Sequence, residues 1–386
     1  MSRIKVLSVF GTRPEAIKMA PLVRALEQSG EIESLVCVTA QHREMLDQVL
    51  SAFAIEPQYD LNIMQPSQTL STITVKALSG LEGVLGQAKP DLVLVHGDTS
   101  TTFTAALAAF YSRIPVGHVE AGLRSFDKYS PYPEEANRRL TGVLAELHFA
   151  PTAQNAENLR RENTVKNVFI TGNTVIDALH TTVQKEYRFS VDALNGLDYQ
   201  NRRVVLLTAH RRENYGQPME NIMAAVRELA RRYPDALFIY PVHLSPYVQE
   251  TARKALDGMD NVLLIPPLGV LDMHNLMARC HLVMTDSGGL QEEAPALGKP
   301  VLVLRRETER PEAVAAGTVL LAGVERDGIV SSAARLFDNR SVWEAMSRAV
   351  NPYGDGKACC RIVQDILYYF GRADEPANDF SPGQSV

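Results

Sequence analysis

Short runs of apolar, β-branched residues alternate along the chain with stretches whose apolar positions recur at helical spacing. In the first half, residues 6–10, 34–39, 92–96, 116–120 and 147–150 predict strands, with helices over 15–28 and 101–110 among those between them. The second half repeats the layout. Its strands are predicted at 204–209, 237–240, 262–265, 282–285 and 301–304, with helices over 220–232 and 290–297. Strands that are apolar throughout, rather than alternately, belong to parallel sheets covered on both faces. Two such series predict an α/β protein of two doubly wound domains. In such sheets ligands bind beyond the carboxyl ends of the strands, so the polar residues just after each strand are the ones to inspect.

The first domain is expected to end near Gly172, giving residues 1–172 and 173–360, and the polar, irregular stretch 183–203 suits a connection. Residues 360–370 carry an amphipathic helical pattern. The tail after Arg372, rich in Pro, Asp and Ser, reads as disordered. A length of 386 residues with 45% hydrophobic and 22% charged residues is enough for two cores. The net charge of −6 and the lack of a basic run make nucleic acid an unsuitable partner. The first apolar run leads straight into a turn, as a strand does and a signal peptide does not. No stretch approaches the roughly 20 apolar residues that span a bilayer. Cys37, Cys280, Cys359 and Cys360 lack zinc spacing and are read as reduced cytosolic thiols.

Two motifs suit an anion. Gly11-Thr12-Arg13-Pro14-Glu15 follows the first strand, with Lys18 one helical turn further on. A helix N-terminus with free N–H groups attracts phosphate, and Arg13 and Lys18 would add charge; both are otherwise ordinary surface cations. The motif is not a G-x-G-x-x-G fingerprint and does not indicate a nicotinamide cofactor. Ser287-Gly288-Gly289, in Thr285-Asp286-Ser287-Gly288-Gly289-Leu290-Gln291-Glu292-Glu293, opens a second helix. Its glycines admit a ligand close to the backbone. One of Glu292 and Glu293 is a helix-dipole carboxylate, and the other could accept two hydrogen bonds from a ribose diol. Neither Asp-x-Asp nor a His/Cys/carboxylate cluster indicates a metal.

Proton chemistry is expected of Asp98, Glu120 and His210, all at predicted strand ends, and of Glu134 in a loop entering a helix. Any one of these alone could equally be a cap or a salt-bridge partner. Together they favour a site in which partial burial shifts pKa values toward neutrality. His243 also follows a strand and could touch phosphate. His96, His118 and His148 lie in apolar runs and read as core residues.

The strings GTRPEAIKMAP (11–21), HGDT (96–99), GHVEAGLR (117–124), TAHRREN (208–214), TDSGGLQEEAP (285–295) and TERPEA (308–313) resemble those of bacterial non-hydrolysing UDP-N-acetylglucosamine 2-epimerases. The resemblance runs from the first strand to about Arg361. It implies the GT-B architecture: two Rossmann-like domains, an interdomain cleft, and a C-terminal helix, about 361–386, rejoining the first domain. It also implies a cytoplasmic homodimer that takes no cofactor and reversibly converts UDP-N-acetylglucosamine to UDP-N-acetylmannosamine for surface polysaccharide.

By position, the resemblance assigns Arg13 and Lys18 to the nucleotide-sugar and Asp98, Glu120 and Glu134 to catalysis, with His210 by the diphosphate and sugar. Ser287, Gly288 and Gly289 would hold phosphate, Glu293 the ribose, and Arg310 would complete the cations. Leu268 and Met273 would line the uracil pocket, Met273 standing where relatives often carry Phe. Gln41, Arg211 and His243 match an activating second substrate site. The implied route eliminates UDP to give 2-acetamidoglucal and re-adds it with a proton on the other face. A retaining GT-B glycosyltransferase and a hydrolysing epimerase are the alternatives that share this fold and nucleotide site.

Overall fold

The computed structural model describes residues 2–40, 43–65 and 68–383. The chain forms two compact units, one comprising Met1–Thr181 with the segment from Tyr353 onward, the other Thr182–Pro352. The first unit runs β1 (Ile4–Phe10), α1 (Arg13–Gln28), β2 (Ile32–Val38), α2 (Arg43–Ala52), β3 (Tyr59–Asp60), α3 (Leu70–Ala88) and β4 (Leu92–His96). It continues through α4 (Ser100–Tyr111), β5 (Val116–Val119), α5 (Glu134–Leu144), β6 (Leu147–Ala150), α6 (Ala153–Arg161), β7 (Val168–Ile170) and α7 (Thr174–Thr182). The second runs β8 (Val204–Thr208), α8 (Gln217–Arg232), β9 (Leu237–Pro241), α9 (Pro246–Leu256), β10 (Val262–Ile265), α10 (Val270–Arg279) and β11 (Leu282–Thr285). It ends with α11 (Leu290–Ala296), β12 (Val301–Val303), α12 (Pro311–Ala315), β13 (Val319–Leu321), α13 (Arg326–Asp338) and α14 (Arg340–Ser347). Helix α15 (Ala358–Tyr369) returns to the first unit and packs on α1.

Both sheets are parallel, with strand orders β3-β2-β1-β4-β5-β6-β7 and β10-β9-β8-β11-β12-β13. Each order reverses direction once, between β1 and β4 in the first sheet and between β8 and β11 in the second. That reversal is where the loops diverge and open a crevice for ligand. Strands β4, β5, β6, β8 and β9 are buried at every residue, as a sheet covered on both faces requires. No helix among the described residues is long and apolar enough to cross a membrane.

Three strands were not legible as apolar runs. β3 is two residues long, β7 sits among polar neighbours, and β13 is a short edge strand. The division between units also falls later than Gly172, because α7 stays with the first unit. The Asp177 carboxylate on α7 accepts the N–H groups of Ala358 (3.2 Å) and Cys359 (2.8 Å) and so caps α15. Asn173 N–H reaches the Tyr353 carbonyl at 2.7 Å.

The irregular stretch 183–203 packs against α10. Asp272 accepts from the Tyr187 hydroxyl (2.8 Å) and the Ser190 N–H (3.1 Å), and Phe189 and Leu194 are buried. The tail corrects the expectation of disorder up to residue 383. Phe380 is buried, donates its N–H to the Ile170 carbonyl at 2.6 Å and lies under Arg361. Asp379 accepts the Ile170 N–H at 2.9 Å, and Asp365 accepts the Ala377 N–H at 2.8 Å.

Candidate functional site

In the first unit the turns after β1, β4 and β5 meet through side chains. Glu15 is buried and accepts the N–H groups of Gly11 (3.0 Å) and Thr12 (2.8 Å) and the hydroxyls of Thr99 (2.6 Å) and Thr102 (3.0 Å). The anion at this helix N-terminus is therefore the protein's own, which corrects the expectation that these amides await phosphate. Burial raises the Glu15 pKa, and its hydrogen bonds pull the other way. Gly11 is required by space, since a Cβ there would lie 1.9 Å from the Thr39 hydroxyl. Arg13, in the first turn of α1, is half-buried.

Glu120 directly follows β5 with φ at +64°, a left-handed backbone that a non-glycine residue adopts at a cost of about 1–3 kcal/mol. Its carboxylate forms an ion pair with Lys18 and accepts from Asn173 Nδ2 at 2.9 Å. Nε2 of His96 lies 3.8 Å away. Burial pushes His96 down to about 4, so the ring is neutral at pH 7. Lys18 is thus engaged with a carboxylate rather than standing as an isolated phosphate ligand.

Asp98 pairs with Arg138 at 2.6 Å, and Arg138 also reaches the buried Glu135 at 3.4 Å. Glu135 in turn holds the Ser125 and Phe126 N–H groups at 3.0 and 3.2 Å, so one arginine links Asp98 to the β5–α5 loop. Glu134 is the first residue of α5, and its buried Oε2 has no hydrogen-bond partner among the described residues. A buried acceptor without a partner is costly, and such orphans mark working groups more often than structural ones.

In the second unit the two turns at the sheet's reversal are joined by Asp286. One of its oxygens accepts the N–H groups of His210 and Arg211 and the Asn214 amide. The His210 ring stacks on His243 with centroids 5.3 Å apart. Burial lowers the His210 pKa; Asp286 opposes that shift, while His243 and Arg211 add to it.

Ser287, Gly288 and Gly289 continue from Asp286 into α11. The N–H groups of Gly288 and Gly289 are not used by any partner among the described residues. A Cβ on Gly288 would lie 3.0 Å from a Glu309 carboxylate oxygen, 3.6 Å from Arg310 and 3.7 Å from Arg211, so bare backbone and two guanidiniums share this spot with one carboxylate. The backbone and the guanidiniums suit a phosphate, and the carboxylate among them is paired with Arg305 at 2.6 Å. Arg310 is buried in an ion pair with Glu292, and Glu309 lies 3.6 Å from it. Burial alone would raise the Glu309 carboxyl, but Arg310 and Arg305 together take it below its ordinary range. Glu293 remains partly exposed next to Gly289, in contact with His274 at 3.3 Å. Of the two acidic residues opening α11, Glu292 is thus committed to Arg310. Leu268 is buried just before α10, and Met273 lies half-buried in its first turn.

The residues singled out in the sequence are divided between the two units. Arg13, Lys18, Asp98, Glu120 and Glu134 belong to the first unit. His210, Arg211, His243, Leu268, Met273, Ser287, Gly288, Gly289, Glu293 and Arg310 belong to the second. Gln41 lies outside the described residues. Sequence reasoning passed over Glu15, Arg138, Asn173, His274 and Asp286. Thr12-x-x-Glu15 is a capping-box signature that could have flagged the first. Asp286 follows a strand and met the same test as Asp98. No group of three or more His, Cys, Asp or Glu among the described residues could hold a metal ion.

The family model for UDP-N-acetylglucosamine 2-epimerases matches residues 24–367. The chain belongs to this family. It is 55% identical over 382 residues to the UDP-N-acetylglucosamine 2-epimerase of Bacillus subtilis (strain 168), covering 99% of this chain and all of the relative. The Neisseria meningitidis UDP-GlcNAc 2-epimerase, solved with UDP-GlcNAc bound, superposes with a TM-score of 0.88 at 52% identity over 95% of this chain and 100% of that one. An S. aureus protein solved with UDP gives 0.90 at 52% identity, over 98% and 100%. The paired Rossmann-like domains of this epimerase-family chain are of the GT-B type.

Proposed function

We propose that the protein interconverts UDP-N-acetylglucosamine and UDP-N-acetylmannosamine without hydrolysing either. The second-unit cluster holds UDP. Gly288, Gly289, Arg211 and Arg310 take the diphosphate, Glu293 the ribose, and Leu268 with Met273 the uracil. The first-unit carboxylates work on the sugar. Removal of the C2 proton leaves its electron pair to form the C1–C2 double bond as the C1–O bond breaks and UDP departs. The product, 2-acetamidoglucal, stays bound. UDP then re-adds at C1 while a proton arrives at C2 on the opposite face. This needs a base and an acid on opposite faces, with cations to stabilise leaving UDP. Asp98, Glu120 and Glu134 supply the first two; Arg13, His210 and Arg310 supply the last.

The observation that carries this reading is the Glu120 carboxylate. It is placed by a left-handed backbone beyond β5 and gripped by Lys18 and Asn173 at the carboxyl edge of the sheet. Backbone strain of this kind gathers at functional sites. The relatives solved with UDP-GlcNAc and UDP support the choice of substrate.

The same reading makes the protein a cytoplasmic homodimer serving surface polysaccharide. Val75, Phe110, Tyr111, Leu140 and Val143, exposed on α3, α4 and α5, support self-association. Arg211 and His243, with Gln41, would serve an activating second substrate molecule.

The test is turnover of UDP-N-acetylglucosamine in heavy water without added metal, followed by NMR. Deuterium at C2 of both UDP-sugars is expected. Full retention of protium at C2 rules the mechanism out, and accumulating free N-acetylmannosamine with UDP indicates a hydrolysing enzyme instead.

A further inference from the structure

The two acidic residues that open α11 are put to different uses. Glu292 is buried and paired with Arg310, while Glu293 keeps 13% of its side chain exposed and faces Nε2 of His274 at 3.3 Å. A carboxylate only accepts, so the ring tautomer that suits this contact is the one with its hydrogen on Nε2. On the far side of the ring, the Thr182 hydroxyl lies 2.7 Å from Nδ1. His274 is itself buried. The next residue, Asn275, donates to the Thr182 carbonyl at 2.8 Å and accepts the Gln184 N–H at 2.9 Å. Two successive residues of α10 thus clamp the chain where it enters the second unit, and one of them continues to Glu293.

We propose that His274 is a positioning residue: it holds Glu293 as the acceptor for the ribose hydroxyls, and Thr182 fixes the ring that does so. This rests on the reading in which Glu293 receives the ribose. A glutamate has several rotatable bonds and would spread over rotamers if left alone. Hydroxyls are accepted best by a carboxylate oxygen held in one place, and charge-assisted hydrogen bonds of this kind are the strong ones. The His274 ring removes that freedom from one side, and the other oxygen lies beside Gly289, 3.0 Å from where a Cβ would stand there. Its effect is confined to the ribose, because the groups that suit the diphosphate are the backbone at Gly288 and the guanidiniums of Arg211 and Arg310. Loss of His274 should therefore erode recognition of the hydroxyls and spare the rest of the nucleotide.

The experiment is calorimetric titration of the full-length protein with UDP and with 2′,3′-dideoxy-UDP. The unsubstituted protein should prefer UDP by about tenfold or more, the worth of hydrogen bonds to a charged acceptor. His274→Leu should lose about tenfold in UDP affinity and hold dideoxy-UDP within about twofold. His274→Gln, whose amide can still donate to Glu293, should keep most of the preference. Thr182→Val, a near-isosteric change that decides the matter alone if His274→Leu does not fold, should cost about threefold in preference. Equal losses on both nucleotides, or an undiminished preference in His274→Leu and Thr182→Val, would overturn the proposal. Glu293→Gln separates the two levels. If it too leaves the preference intact, the ribose assignment fails and the inference with it. If it abolishes the preference while the His274 and Thr182 variants do not, only the role of His274 is lost.

Discussion

Asp286 grips His210 from two sides: one carboxylate oxygen accepts the backbone N–H at 2.8 Å, and the other lies 3.6 Å from Nδ1 of the ring. Burial holds the His210 pKa below its ordinary value, and Asp286 is the group that lifts it back. In Asp286→Asn the lift disappears while burial, His243 and Arg211 remain. The His210 ring should then titrate at lower pH than in the unsubstituted protein. NMR of the imidazole Cε1–H signal across a pH series reads this directly, and an unmoved or higher midpoint would contradict the assignment.

The three carboxylates of the first unit should separate chemistry from binding. Asp98→Asn, Glu120→Gln and Glu134→Gln keep size and remove charge, so each should lower kcat by about 10²-fold or more. The UDP cluster is untouched in all three, and calorimetric UDP affinity should stay within about threefold. Near-normal turnover in all three would show that the proton chemistry has been placed on the wrong residues.

Gly11 should not tolerate even one added carbon. The 1.9 Å approach to the Thr39 hydroxyl, with Thr101 at 2.6 Å, demands movement in a buried, hydrogen-bonded corner. Gly11→Ala should destabilise by about 1–3 kcal/mol in urea unfolding, as overpacked cores do. Gly30→Ala, where a Cβ meets nothing within 4 Å, is the matched control and should be close to neutral.

Asp365 should make stability fall with rising pH. Burial, with help from Asp379 and against Arg361, pushes its pKa from 3.8 to about 7. A carboxyl raised on folding contributes its stability in full below the unfolded value and loses it as pH climbs through the folded one. Asp365→Asn stays neutral and retains an oxygen for the Ala377 N–H. Its urea midpoint relative to the unsubstituted protein should therefore rise steadily from pH 4 to pH 8. A pH-independent difference would show that Asp365 is not charging in that window.

The positions of Asp98, Glu120 and His210 were legible because a buried parallel strand leaves an apolar run whose carboxyl end can be read off directly. The glycines and Ser287 were legible for the same reason. What fills the space between turns was not. The capping-box spacing of Thr12 and Glu15 is local, but nothing local says that Glu15 will also be held by Thr99 and Thr102, which come from α4 and its N-cap. Asn173 was hidden behind β7, whose three half-buried residues carry too little apolar signal to declare a strand. The tail misled for a related reason. Its composition is that of a disordered segment, but Phe380 and two aspartates are enough to fasten it to a sheet edge.

That fastening bears on how the protein can be handled. β7 ends its sheet, and Phe380 with Asp379 satisfies both backbone groups of Ile170 that would otherwise face outward. A chain trimmed behind Arg372 would offer a bare strand margin, the kind of template on which like molecules stack into insoluble material. Shortened versions made for convenience should be looked for in the pellet, and affinity handles belong at the other end.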